Sequence, residues 1–366
     1  MVRESAALAW TTMTEERMCF VIGAGASKSA GFPLGPDLAG LIQSLFLTHR
    51  DFNLTKQYSL VDQDFSHALN PLRGDFSGSE LENASIELAH SLDQGESIDR
   101  ILHVNSNNRA MVKLGKVAIT YCILRAENKS TLRIPPGNIY NRLDFNAAGN
   151  NWYRKLWQLV FYKYSVDELL ERAKQIKFIV FNYDRCIEHY LFESFKNCYP
   201  ANREFAHQFI SNIEFIHPYG QVGILPYNSA IKDSANQVVG FGEKVHSSRY
   251  AELSTGIRVF TEGVDPNGGT FESIQQTIQS TDRLIFVGFG FMDLNLKILG
   301  PSARSNHKGP RRILATALGE SDSNCDWVKQ QLSLISRVGF ESNTVVDNSA
   351  DCLALLTNYS NRIASN

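Results

Sequence analysis

The stretch from Cys19 to Asp37 contains the residues whose types and spacing most clearly could do chemistry. The apolar run 18–22 predicts a strand that leads into a glycine turn made of Gly23, Ala24, Gly25, Ala26 and Ser27, and 38–47 predicts an amphipathic helix. Glycine lets backbone approach a ligand closely, and the free N–H groups of a helix N-terminus favour an anion. The turn therefore predicts a phosphate site, although Lys28 stands where the common dinucleotide fingerprint has its third glycine.

Three later apolar runs also end in residues that could serve a site. Asn182 could hold a hydroxyl or an attacking water because its amide both donates and accepts, and Asp184 could balance a developing positive charge. His217 suits a general base because the ordinary pKa of histidine lies near neutrality. The last run ends in residues that leave room for a ribose or adenine against the backbone, namely Gly288, Phe289 and Gly290.

Each motif also has an ordinary structural explanation. A tight glycine turn can join a strand to a helix without binding anything, and a single histidine at a strand end is more often a hydrogen-bonded structural residue. Asn182 or Asp184 could simply cap the helix that follows, and we expect Cys186 to lie on the buried side of that helix. The carboxyl ends of parallel strands form the ligand crevice of an open α/β sheet, so the four strand ends together favour a site.

Short apolar runs alternate with helical segments from residue 175 onward, which predicts a parallel sheet covered by helices on both faces. The segment between the first two strands has helical texture instead, with one helix expected to begin at the capping residue Ser79. We expect an N-terminal arm at 1–17 and a mobile loop at 228–239. The prediction is an α/β protein with a Rossmann-like parallel sheet and a large helical insertion, the core at 18–50 and 175–366 and the insertion at 51–174.

The composition excludes several classes of protein. The chain has 366 residues, 43% of them hydrophobic, and a formal net charge of −2, so it lacks the basic excess of general nucleic-acid binding proteins. No apolar run approaches the length that spans a bilayer, and the N-terminus reads poorly as a signal peptide. We therefore expect a cytoplasmic protein that binds neither nucleic acid nor membranes directly.

The glycine turn followed by Gly31-Phe32-Pro33, the Asn-x-Asp and His-x-x-Gly strand ends and the late Gly-x-Gly together resemble the sirtuin superfamily. More narrowly, the chain resembles the bacterial sirtuin-like NAD⁺ hydrolases of anti-phage defence, over residues 18 to 300. The segments 97–99 and 152–154 are similar to recurring segments of that group. The resemblance implies that Asn182 and His217 are the catalytic pair and that Asp184 lies beside the nicotinamide. It also implies further contacts to NAD⁺ from Gly23, Ala24, Gly25, Ala26, Ser27, Pro33, Gly288, Phe289 and Gly290.

Protein-deacylating sirtuins carry a four-cysteine zinc module, which the six scattered cysteines of this chain cannot build. Water then becomes the expected nucleophile, so the resemblance implies an NAD⁺ glycohydrolase that needs no metal and releases nicotinamide and ADP-ribose. It further implies a defence effector that depletes NAD⁺ in abortive infection, triggered by homo-oligomerisation or by a partner such as a HerA-type ATPase or an Argonaute-like protein. Two alternatives are a non-catalytic sensor of NAD-derived nucleotides and an NAD-dependent protein deacylase or ADP-ribosyltransferase.

Overall fold

The computed structural model describes residues 16–50, 56–60, 62–94, 97–228, 235–260, 269–300, 309–335 and 343–364. Residues 1–15 of the expected arm and 229–234 of the expected mobile loop lie outside the described residues. The strands are β1 (Met18–Ile22), β2 (Phe46–Arg50), β3 (Lys56–Leu60), β4 (Ile176–Val180), β5 (Glu214–Ile216), β6 (Arg283–Val287), β7 (Arg312–Thr316) and β8 (Thr344–Asp347).

Six parallel strands form the main sheet in the order β5-β4-β1-β6-β7-β8. Counted along the chain within that sheet, this is the order 3-2-1-4-5-6 of the Rossmann fold. The predicted α/β class with a Rossmann-like parallel sheet is therefore confirmed. All five residues of β1 are buried, because this strand lies between β4 and β6 and its apolar side chains are covered on both faces.

The direction in which strands are added reverses between β1 and β6. Chain order runs outward from β1 through β4 to β5 on one side, and from β6 to β8 on the other. In such sheets the crevice beyond the carboxyl ends of the two strands at the reversal is where ligands bind. This point of the fold is called the switch point below.

Helices account for most of the remaining described residues. They are α1 (Ala24–Ser27), α2 (Gly35–Gln43), α3 (Gln63–Ala68), α4 (Gly78–Leu92), α5 (Ile98–Val104), α6 (Arg109–Lys129), α7 (Trp152–Val160), α8 (Val166–Ala173), α9 (Cys186–Cys198), α10 (Ala206–Asn212), α11 (Tyr250–Leu253), α12 (Gly269–Ser280), α13 (Asp293–Leu299), α14 (Asp322–Ser333), α15 (Cys352–Asn358) and α16 (Ser360–Ala364). None of those described is both long enough and apolar enough to cross a membrane.

The segment between α2 and β4 contains α3 to α8, in agreement with its helical texture, but it also contains an antiparallel β2–β3 hairpin that was not predicted. The helix expected at 38–47 begins earlier, at Gly35, and ends at Gln43. Its start is set by Pro36 and by Asp37, whose carboxylate accepts the Leu34 N–H. Residues 46 and 47 instead belong to the hairpin.

The helix expected to start at Ser79 is capped two residues earlier. Ser77 Oγ accepts the Glu80 N–H, and the Glu80 carboxylate accepts the Ser77 N–H, which is a capping box. The short strand β8 at the edge of the sheet was also missed, because four half-buried residues carry little periodic signal.

Candidate functional site

The glycine turn lies against the loop that follows β6, at the switch point. The Gly23 N–H donates to Val287 O over 3.1 Å, and the Gly25 N–H donates to Gly288 O over 3.0 Å. A Cβ on Gly23 would lie 2.5 Å from Gly288 O, and a Cβ on Gly288 would clash with Ala26 N. The absent Cβ atoms at 23, 25 and 288 therefore let two stretches of backbone pack together, where the sequence had suggested space for a ligand.

The two glycines after β6 differ in their surroundings. Gly288 has a φ of +61° and is surrounded by backbone of the glycine turn, whereas no atom beyond its own chain neighbours lies within 4 Å of the place that a Cβ on Gly290 would take. Between them, Phe289 is buried and packs edge-on against Phe181, so it is a core residue of this edge. Open space next to the backbone is therefore found at Gly290.

Gly288→Ala should lower the free energy of unfolding by about 2 kcal/mol, because alanine is strained at positive φ by about 1–2 kcal/mol and its Cβ would also displace the glycine turn. Gly290→Ala is the matched control and should change stability by less than about 0.5 kcal/mol. Urea denaturation followed by circular dichroism measures both. Equal losses in the two variants would contradict the packing of these loops.

Asn182 lies immediately beyond β4 and contacts the glycine turn. Its Nδ2 donates to Gly23 O over 3.1 Å and to Ser27 Oγ over 3.0 Å. These two acceptors determine which way the amide faces, and its Oδ1 has no hydrogen bond to any described residue. Asn182 therefore presents a fixed acceptor at the carboxyl edge of the sheet.

Asp184 lies two residues before the start of α9. Its Oδ1 accepts the N–H of Cys186, two residues later, over 3.0 Å, the contact of an Asx turn. Burial raises the pKa of this carboxyl, while hydrogen bonds from Ser27 and Cys186 oppose that rise. The N-cap position of α9 is Arg185, whose side chain makes no capping hydrogen bond, so Asp184 lies one residue before the cap. Cys186 is buried, as expected, and burial raises the pKa of its thiol.

His217 follows β5 and joins Asn182 to α9. Its Nδ1 lies 3.4 Å from the backbone oxygen of Asn182, and its Nε2 lies 2.6 Å from Glu188 Oε1. Both the histidine and the glutamate side chains are nearly buried, with 9% and 6% exposed. The sequence reasoning missed Glu188, because its partner His217 lies 29 positions away in the chain and no local pattern links the two.

The Glu188 carboxylate selects the tautomer of His217. A carboxylate only accepts hydrogen bonds, so Nε2 carries a hydrogen and donates it to Glu188, which leaves Nδ1 as the ring nitrogen that can exchange a proton with a ligand. If Nδ1 gains a proton, the resulting imidazolium has one N–H directed at Asn182 O and the other at the carboxylate. The arrangement is a potential base with an orienting acid group behind it.

A cavity of about 500 Å³ opens beside His217. Ile216, Gly220, Arg258 and Thr270 also line it, whereas the glycine turn, Asn182 and the loop 288–290 do not. This volume is within the range of sites that hold small organic ligands. His217 is thus both hydrogen-bonded inside the protein and adjacent to ligand-sized space.

Two segments of the helical region hold the loops of this edge in place. Trp152 Nε1 donates to Ala26 O over 2.6 Å, and the Tyr183 hydroxyl donates to the Asp99 carboxylate, which also accepts from Ser97 Oγ. Ser97 and Asp99 lie at the start of α5, and Trp152 begins α7. Both segments therefore hold loops at the carboxyl ends of the strands through hydrogen bonds.

A buried ion pair connects the same edge to α6. Arg185 donates to Glu127 through Nη2 over 2.5 Å and through Nε over 3.0 Å, and neither side chain has any exposed surface. The Arg185 Nη1 also donates to Val239 O over 2.7 Å. The residue after Asp184 thus ties α6 and the segment near Val239 to the start of α9.

The remaining predicted contact, Pro33, is half-buried in the loop before α2. Within the part of the chain that the structure describes, no three His, Cys, Asp or Glu side chains are grouped so as to hold a metal ion. The structure therefore brings together the glycine turn, Asn182, Asp184, His217 and the loop 288–290 at one edge of the sheet. This is the crevice of a Rossmann-like α/β protein.

Comparison with the models of known protein families gave no match, and comparison with curated proteins found no significant similarity.

Proposed function

We propose that this chain is a sirtuin-like NAD⁺ glycohydrolase that cleaves NAD⁺ to nicotinamide and ADP-ribose. The observation that carries the proposal is the placement of His217 between Glu188 Oε1 and the backbone oxygen of Asn182, whose amide contacts the glycine turn. NAD⁺ lies in this proposal across the switch point, as dinucleotides do in Rossmann-like sheets. It is the substrate and not a resident cofactor.

Asn182 positions the reacting groups. Its Nδ2 is held by Gly23 O and Ser27 Oγ, so its Oδ1 accepts a hydrogen bond from a ribose hydroxyl or from the attacking water. A fixed acceptor lowers the barrier because the entropy of orienting the reactants is lost before the reaction begins.

His217 removes the proton of the water. The bond between nicotinamide nitrogen and ribose carbon breaks, nicotinamide leaves as a neutral molecule with the bonding electrons, and the ribose gains oxocarbenium character. The water oxygen bonds to that carbon, and the water proton passes to Nδ1 of His217. Throughout, the Nε2–H of His217 stays hydrogen-bonded to the Glu188 carboxylate. The imidazolium then releases the proton to solvent, so the products are nicotinamide, ADP-ribose and one proton.

The biological setting is part of the proposal and is supported by the sequence resemblance. Unchecked hydrolysis of NAD⁺ would kill the cell that makes the enzyme, so a trigger is required. We place the protein in the bacterial cytoplasm as an anti-phage effector, switched on by homo-oligomerisation or by a HerA-type ATPase or Argonaute-like partner.

The direct test is to incubate the full chain with NAD⁺ and to quantify nicotinamide and ADP-ribose by chromatography, with and without a chelator. We expect equal amounts of the two products and no effect of the chelator. The sensor would be favoured if calorimetry detects NAD⁺ binding while no nicotinamide is released, either by the purified protein or when the protein is expressed in bacteria. Release that requires an acylated peptide, or label from NAD⁺ on protein, would favour the deacylase or transferase.

A further inference from the structure

A second cavity, of about 440 Å³, lies at the opposite end of the sheet from the candidate site. It is lined by three arginines and two asparagines together with two apolar residues: Arg283, Arg312, Arg362, Asn343, Asn361, Ile285 and Leu314. Its volume is within the range of small-molecule sites. This cavity is called the arginine pocket below.

The strand register explains why the arginines converge. Arg283 begins β6 and Arg312 begins β7, and the two residues are direct neighbours in the parallel ladder. Alternate residues of a strand share a face, so each arginine lies on the same face as an apolar pocket residue two positions later. The short helix α16 brings Arg362 to the same cavity.

Among the described residues, the positive charge of the pocket is only partly compensated. Arg283 has an ion pair with Glu16 and donates to Ile363 O. The Arg312 side chain makes no hydrogen bond or ion pair with any described residue, and Arg362 contacts the ring of Tyr359. Burial lowers the pKa of Arg283, and so do the nearby charges of Arg312 and Arg172, against the opposing effect of Glu16. Adjacent guanidinium groups repel each other unless an anion lies between them.

We propose that the arginine pocket binds a small phosphate-bearing molecule. Guanidinium groups match phosphate oxygens in charge and in bidentate geometry, and the two asparagine amides supply further donors and acceptors. Ile285 and Leu314 provide an apolar surface that the rest of such a ligand can contact. The proposal is independent of NAD⁺ cleavage, since β6 separates Arg283 from Gly288 by five residues, about 16 Å of strand.

Inorganic pyrophosphate tests this pocket by isothermal titration calorimetry on the full chain at low ionic strength. We expect one saturable site, with an affinity at least tenfold weaker in Arg312→Gln and in Arg362→Gln. Arg311→Gln is the matched control, because Arg311 is the exposed neighbour of Arg312, does not line the pocket and loses the same charge. Its affinity should stay within twofold of the original.

Circular dichroism of each variant checks that it is folded. Arg312 is partly exposed and Arg362 is exposed, so their replacement disturbs the fold less than replacement of the buried Arg283 would. The proposal is overturned by an absence of saturable binding to the unmodified chain. It is equally overturned if Arg311→Gln weakens binding as much as Arg312→Gln, since the effect would then be one of overall charge.

Discussion

His217→Ala should reduce the rate of nicotinamide release from NAD⁺ at least about a hundredfold, because a positioned general base contributes roughly 10²–10⁴ to a rate. The side chain removed is the one that Glu188 and the Asn182 backbone hold beside the cavity. The measurement is kcat for nicotinamide release by the folded variant. His67→Ala, which removes an exposed histidine of α3, is the control and should leave the rate unchanged.

Two companion variants separate positioning from proton transfer. Glu188→Gln keeps the shape of the side chain but removes the charge that orients His217, so kcat should fall about tenfold with little change in KM. Asn182→Ala removes the free Oδ1 and should also abolish measurable turnover. If His217→Ala keeps half or more of the original rate, the histidine is not the base and the site assignment is wrong.

Glu127→Ala should lower the free energy of unfolding by roughly 3–5 kcal/mol, the usual cost of breaking a buried ion pair from one side. The loss is large because Arg185 would remain fully buried with its charge uncompensated. The strong hydrogen bonds to both carboxylate oxygens would disappear together. Urea denaturation monitored by circular dichroism and tryptophan fluorescence measures the change.

A double variant tests whether the effect belongs to the Glu127–Arg185 pair. Glu127→Leu combined with Arg185→Leu should be less destabilised than the sum of the two single variants, since no charge is then left buried. Glu171→Ala breaks the exposed pair with Lys174 and should cost less than about 1 kcal/mol. A loss below about 1 kcal/mol for Glu127→Ala itself would contradict the described pairing.

Much of the fold follows from patterns that act over short distances. Short buried runs such as 18–22 and 284–287 predict strands, and their alternation with helical segments predicts a parallel sheet. Because parallel strands share a carboxyl edge, the sequence also predicts that the glycine turn, Asn182 and His217 meet, and the structure places them in contact. The β2–β3 hairpin escaped prediction because its residues are largely polar and lack a clear alternation.

The pairings of individual side chains were decided by the tertiary structure. Glu188 reads in the sequence as one more residue of a helix, and only the tertiary structure brings it to His217, the residue that follows β5. Glu127 and Arg185 are 58 positions apart in the chain, and the three pocket arginines come from separate elements. What the sequence determined by itself is the set of elements and the edge where their polar ends collect, since both follow from local periodicity. Which charges meet depends on how distant elements pack, and no local pattern records that.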